Sequence, residues 1–147
     1  MIRACEKCGQ RNRVPAQKLI QEGRCGACKA PLSPVAVPIN VGSAEFDEIV
    51  NGVTVPVLVD FWADWCAPCR MAAPHVESVA RQMSGRAIVL KVDTEAHPDL
   101  ASRYQIRGIP NFAVLKGGAV VLQEAGLVDS AKLRTWLEQA GADAVRG

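Results

Sequence analysis

The six cysteines of this 147-residue chain form three pairs of one spacing, Cys5-x-x-Cys8, Cys25-x-x-Cys28 and Cys66-x-x-Cys69. A thiolate is both a nucleophile and a soft metal ligand, so such a pair can exchange disulfides or hold an ion. The first two pairs stand 16 residues apart, the spacing of a four-cysteine zinc site. Each Cys-x-x-Cys turn points two thiolates at one ion, and two turns complete a tetrahedron. Gly9, directly after Cys8, permits the tight turn that aims amide N–H groups at the sulfurs. Four thiolates close the coordination sphere, so the expectation is one structural Zn²⁺ rather than a catalytic one. Two other uses of these cysteines stay open: a pair of structural disulfides, which needs an oxidising compartment, or redox-active pairs.

The surroundings of these cysteines differ from the rest of the chain. Residues 1–40 hold seven Lys+Arg against two Asp+Glu, whereas residues 41–147 hold ten against thirteen. Prolines 31, 34 and 38 then favour an extended, semi-rigid connector. The reading is a zinc-binding head over 1–33, a proline-rich linker over 34–40, and one larger domain over 41–147. A head this small cannot bury enough apolar surface to fold without a staple, and its core would be Val14, Leu19, Ile20 and Leu32. Its cations, Arg3, Lys7, Arg11, Arg13, Lys18, Arg24 and Lys29, form either a docking patch or a solvated surface. Residues 1–40 contain no Phe, Trp or Tyr to stack a base, so no nucleic-acid partner is expected.

The third pair sits in a different frame. Val55–Trp62 is a continuous apolar run broken only by Asp60, as expected for a strand covered on both faces. It leads into Trp65-Cys66-Ala67-Pro68-Cys69 and then a helix, with Ala72, Val76, Val79, Ala80 and Met83 at helical spacing and Gly85 as its stop. Cys66 thus lies at a strand-to-helix junction, where unpaired N–H groups and the helix dipole stabilise a thiolate. Asp60 lies in an apolar strand, where an ionised carboxylate is costly and the protonated form is favoured.

The remaining pattern is α/β. An amphipathic helix follows Ser43, a second buried strand covers Ala87–Asp93, and a short helix starts at Pro98. Phe112–Lys116, Gly117-Gly118 and Ala119–Leu122 form an antiparallel hairpin, and Asp129 caps a last helix that buries Leu133, Trp136, Leu137 and Ala140. This order implies a mixed sheet with helices on both faces. No apolar run reaches the roughly 18 residues of a membrane helix, and Met1–Cys5 shows no signal-like stretch, so the expected location is the cytosol. A net charge of +2 points to neither nucleic acid nor a membrane. His75 and His97 lack partners for a metal pattern and are expected at the surface.

In this order, Val59-Asp60-Phe61-Trp62-Ala63, Trp65-Cys66-Ala67-Pro68-Cys69, Ala73-Pro74, Lys91-Val92-Asp93, Arg107-Gly108-Ile109-Pro110, Lys116-Gly117-Gly118 and Gly126 resemble the thioredoxin family. With the four-cysteine head and Asn12-Arg13-Val14-Pro15, the chain resembles its bacterial thioredoxin-2 type. The resemblance implies a thioredoxin fold behind a zinc-ribbon-like domain and a protein-disulfide reductase activity. It implies Cys66 as the attacking thiolate, Cys69 as the resolving thiol, and Asp60 as the acid/base serving Cys69 with Lys91 nearby. Trp65, Gly108, Ile109, Pro110 and Gly126 would form the rim that receives substrate, with Pro110 in the family's cis position and Pro74 kinking the helix. The implied partners are disulfide-containing proteins and an NADPH-dependent flavoprotein thioredoxin reductase, with no organic cofactor on this chain and a monomeric state. Two residues depart from the pattern: Ala67 stands where glycine is usual, and Asn111 where threonine is common. Ala67-Pro68 lacks the histidine of isomerase- and oxidase-like motifs, which favours a reductant. The competing reading keeps the scaffold but makes the protein a zinc-controlled redox sensor, or a chaperone-like or nucleic-acid-binding module.

Overall fold

The computed structural model describes residues 1–142. The head carries two short antiparallel ribbons, β1 (Ile2–Ala4) with β2 (Arg11–Arg13) and β3 (Gly23–Arg24) with β4 (Pro31–Leu32). A 3₁₀ turn over Ala16–Lys18 joins the two. Beyond it come β5 (Ile39–Asn40), α1 (Ser43–Gly52), β6 (Val57–Trp62), α2 (Ala67–Gln82), β7 (Ile88–Asp93), α3 (Pro98–Arg103), β8 (Asn111–Lys116), β9 (Ala119–Ala125) and α4 (Ser130–Gln139). The five strands from β5 onward form one mixed sheet in the order β5-β7-β6-β8-β9. β5 and β6 run parallel to β7, while β8 is antiparallel to both β6 and β9.

The period of two along β6 explains how both faces are filled. Val57, Val59 and Phe61 join a core with Phe46, Ile49 and Val50 of α1 and Leu100 of α3. Leu58 joins the opposite core, with Val76 and Val79 of α2 and Leu133, Trp136 and Leu137 of α4. The last helix is capped as its sequence implies: Asp129 Oδ1 accepts the Lys132 N–H at 2.9 Å. Gly117 and Gly118 close the β8–β9 hairpin at φ 59° and 81°, the positive pair such a two-residue turn requires. Pro74 lies inside α2 and cannot supply the N–H that would bond the Arg70 carbonyl.

The head does not build one core of its own. Val14, Ala16 and Leu19 belong to the large core against α1, and Leu19 is fully buried there. Leu32 packs instead with Cys5 and Cys25 in a separate small cluster, and Ile20 is only half-buried. The reason is size: so short a segment gains more by lending its leucine to a neighbouring core than by enclosing it. Polar bonds reinforce the contact. The Met1 ammonium donates to the Val14 carbonyl at 3.0 Å and lies 3.7 Å from Glu48 on α1. Residues 34–40 bend once at Val37, with the Val35 N–H on the Leu19 carbonyl at 2.9 Å, Val35 buried, and Ile39–Asn40 forming the edge strand β5.

Leu19→Ala should therefore destabilise the whole molecule by about 2–5 kcal/mol, seen as a lowered urea midpoint in far-ultraviolet circular dichroism. A sheet that still unfolds at the wild-type midpoint would mean that the head contributes nothing to it.

Candidate functional site

One end of the sheet gathers the residues of chemical interest. The β6 strand ends at Trp62, paired with Asp93 at the end of β7. Beside it, Phe61 faces Asn111 at the start of β8, and Asn111 faces Ala125 at the end of β9. Cys66 follows β6, Pro110 precedes β8 and Gly126 follows β9, so all three emerge at this edge. The Gly126 N–H donates to the Pro110 carbonyl at 2.8 Å, tying two of these loops together, and the Ile109–Pro110 bond is cis.

Cys66 is the N-cap of α2, and its sulfur accepts the Cys69 N–H at 3.2 Å. The helix start is a good place for this residue because its first N–H groups have no carbonyl partners within the helix. Pro68 falls in the same first turn, where a missing N–H costs nothing. Cys66 and Cys69 are joined as a disulfide, with Cα atoms 5.2 Å apart. Cys69, expected as the resolving thiol, is not the more shielded of the two: Cys66 is 3% and Cys69 5% exposed. Capping draws the Cys66 side chain inward over the helix end, which covers it as well as its partner.

Asp60 is 1% exposed, and its Oδ1 has no hydrogen-bond partner among the described residues. It lies opposite Lys91 on β7 and Phe112 on β8, on the face of β6 that Leu58 presents to α2 and α4. Burial pushes its carboxyl up to about 7, with the Lys91 charge pulling the other way. Lys91 is itself held, its Nζ 4.7 Å from the centre of the Trp62 ring. Trp62 is thus half-buried beside this pair, with its indole N–H buried and without a hydrogen-bond partner among the described residues.

The rim is apolar and open. Trp65 is 66% exposed, and its indole N–H donates to Glu95 Oε1 at 2.8 Å. Gly108 and Gly126 are exposed and Ile109 is half-buried. Met71 and Leu127 are also largely exposed, the first on α2 two residues past Cys69, the second directly after Gly126. Sequence reasoning missed both, because an apolar residue in a helix or after a strand reads as core until its face is known. His75 is not a plain surface residue either: its Nδ1 accepts the Ser130 N–H at 3.2 Å, at the start of α4.

The four head cysteines come together as one cluster, their sulfurs all within 4.8 Å of one another. The Cys5–Cys28 and Cys8–Cys25 sulfurs are 3.6 Å apart, far beyond a disulfide bond and close to the roughly 3.8 Å edge of a tetrahedron with metal–sulfur bonds of about 2.3 Å. The donor set and its geometry fit a thiolate-bound metal ion. The two turns match: the N–H after each second cysteine returns to the first cysteine's carbonyl, Gly9 to Cys5 at 2.8 Å and Lys29 to Cys25 at 3.0 Å. Both residues have positive φ, 78° for Gly9 and 65° for Lys29. Lys29 occupies the left-handed position without being glycine, and its Nζ donates to the Gly26 carbonyl at 3.2 Å. Cys25 Sγ accepts from the Ala27 N–H and the Asn12 side-chain amide, at 3.4 and 3.6 Å.

Known protein families match both parts of the chain. The family model described as Thioredoxin matches residues 37–139, and the one described as Thioredoxin 2, N-terminal, a zinc ribbon, matches residues 4–30. Thioredoxin C-3 of Corynebacterium nephridii is 37% identical over 139 residues, which cover 95% of this chain and 94% of that protein. Thioredoxin 1 of Nostoc sp. is 46% identical over 99 residues, or 67% of this chain and 92% of its own length. Among solved structures, a mutant thioredoxin from Halobacterium salinarum NRC-1 superposes with a TM-score of 0.69 at 36% identity, covering 78% of this chain and 97% of its own.

The Asp60 carboxyl gives a pH test with a defined sign. Its folded value, near 7, lies above that of an unfolded aspartate, so the folded state holds the extra proton and stability falls as pH rises from about 4 to 7. Asp60→Asn should therefore be more stable than the parent at pH 8, by up to about 4 kcal/mol, with the difference fading toward pH 4. Denaturant titrations at the two pH values check this, and a pH-independent difference would refute it.

Proposed function

This chain belongs to the thioredoxin family and is a thiol–disulfide oxidoreductase, and from that premise we propose that it reduces protein disulfides in the cytosol through Cys66 and Cys69. The observation that carries the reading is the Cys66–Cys69 disulfide at the N-terminus of α2, on the sheet edge it shares with cis-Pro110 and Gly126.

In the reduced protein the Cys66 thiolate attacks one sulfur of a target disulfide. A mixed disulfide forms and the first target thiolate leaves. Cys69 then loses its proton and attacks the Cys66 sulfur, releasing the second target thiolate and leaving Cys66–Cys69 oxidised. Two electrons have passed from the dithiol to the target. The Cys69 N–H, already directed at Cys66 Sγ, favours the anion over the neutral thiol. Asp60, with a carboxyl near 7, is matched to exchange the Cys69 proton at neutral pH, and Lys91 tunes it. Target segments dock on the rim of Trp65, Gly108, Ile109 and Gly126 around the buried cis-Pro110, extended against the Ile109 backbone as an added strand. A flavoprotein thioredoxin reductase drawing on NADPH returns the pair to dithiol.

The head holds one Zn²⁺ on Cys5, Cys8, Cys25 and Cys28. A four-sulfur tetrahedral set suits zinc, and its closed sphere assigns the ion to folding rather than to chemistry.

Insulin reduction tests the redox assignment. Cys66→Ser should abolish turnover, and Cys69→Ser should accumulate a mixed disulfide that dithiothreitol releases; activity retained by Cys66→Ser would overturn the reading. Zinc analysis and thiol titration of one reduced sample test the metal assignment. They should give one zinc per chain and two rapidly reacting thiols, whereas six rapid thiols with no zinc would contradict it.

A further inference from the structure

An unused feature of the molecule is a cleft of about 420 Å³ in the head. Four cations line it, Arg3, Arg13, Lys18 and Arg24, against a single acid, Glu22. The redox reading gives these residues no role. Their bonding is incomplete in a particular way. Arg3 Nη1 donates to the Ser33 carbonyl at 2.8 Å, and Arg24 Nη1 donates to the Lys29 carbonyl at 3.2 Å. Lys18 reaches only the Gln21 side-chain oxygen, at 3.4 Å. The Arg13 side chain has no hydrogen-bond or ion-pair partner among the described residues. Among the described residues, none of the four contacts a carboxylate in an ion pair.

Arg3 is the telling member. It is half-buried and forms no ion pair among the described residues. A cation withdrawn from water without a contacting anion is costly, and a ligand carrying negative charge would relieve that cost. Guanidinium groups present paired N–H donors that match the oxygens of phosphate. The volume falls in the range of small-molecule sites, and the head has no aromatic side chain to grip a base.

We propose that this cleft binds a small multivalent anion of the oligophosphate class, its oxygens shared among Arg3, Arg13, Lys18 and Arg24. Arg3 and Arg24 supply the N–H groups not engaged by backbone carbonyls, and Arg13 and Lys18 close over the ligand from the open side. The metal-thiolate cluster draws on the same wall of the head, since Gly26 and Asn12 line the cleft and the Asn12 amide bonds Cys25 Sγ. Occupancy of the cleft therefore supports the cysteine turns through Asn12.

Titration calorimetry of the full-length, zinc-loaded protein with pyrophosphate tests this. The expected result is saturable one-to-one binding with a dissociation constant below about 1 mM in about 0.1 M salt, with the zinc content unchanged before and after. Arg13→Gln and Lys18→Gln should each weaken it by at least about tenfold. Lys7→Gln removes an equal charge outside the cleft and should leave it within about threefold. All three variants should keep wild-type insulin reduction, which shows that they are folded. Absence of saturable binding, equal weakening by all three variants, or tighter binding of an oligoglutamate of equal charge would overturn the proposal.

Discussion

The contact on which the site depends is the hydrogen bond from the Cys69 N–H to the sulfur of Cys66. It exists because β6 ends and α2 begins within a few residues, leaving the first N–H groups of the helix without carbonyl partners. The cysteine that caps the helix is therefore the sulfur best placed to bear negative charge. The second cysteine sits one turn on because that is the residue whose N–H closes the cap. Geometry that serves helix initiation and geometry that serves exchange chemistry coincide here.

The sheet supplies the rest by bringing chain ends together. Antiparallel pairing of β8 with β6 sets the start of one strand beside the end of the other, so Pro110 arrives at the edge where Cys66 leaves. The cost of this arrangement is visible at Asp60, a carboxyl on a strand that is otherwise apolar. Its alternation partner Leu58 fills the same face with no penalty. A buried acid whose proton is held near neutrality costs stability, and such residues are found where a protein keeps a group for chemistry rather than for packing.

Much of this was legible in the residues alone, and the reasons are specific. Val55–Trp62 and Ala87–Asp93 read as strands, found at Val57–Trp62 and Ile88–Asp93, because fully buried strands are continuous apolar runs, and α4 announced itself through Asp129 and its spaced apolar residues. The cysteine spacing gave the four-sulfur cluster. The placing of the head was not legible. Val14 and Leu19 are apolar in any reading, and nothing local says that they belong to the core under α1 while Leu32 stays with the cysteines. That division is decided by long-range packing. Lys29 was hidden for a related reason: a lysine carries no sign that its backbone must turn left-handed, whereas Gly9 does. The exposed faces of Met71 and Leu127 depend on which side of an element meets solvent, and a short segment does not encode that.

Leu19 ties two chemistries that share no atoms. A ligand that binds only the folded form of a segment adds its affinity to whatever that segment helps hold shut. Since this leucine plugs the hydrophobic layer beneath α1, an ion bound by the four head sulfurs would become ballast for a sheet it never meets. Stripping the ion would loosen the keystone rather than merely unravel a tail.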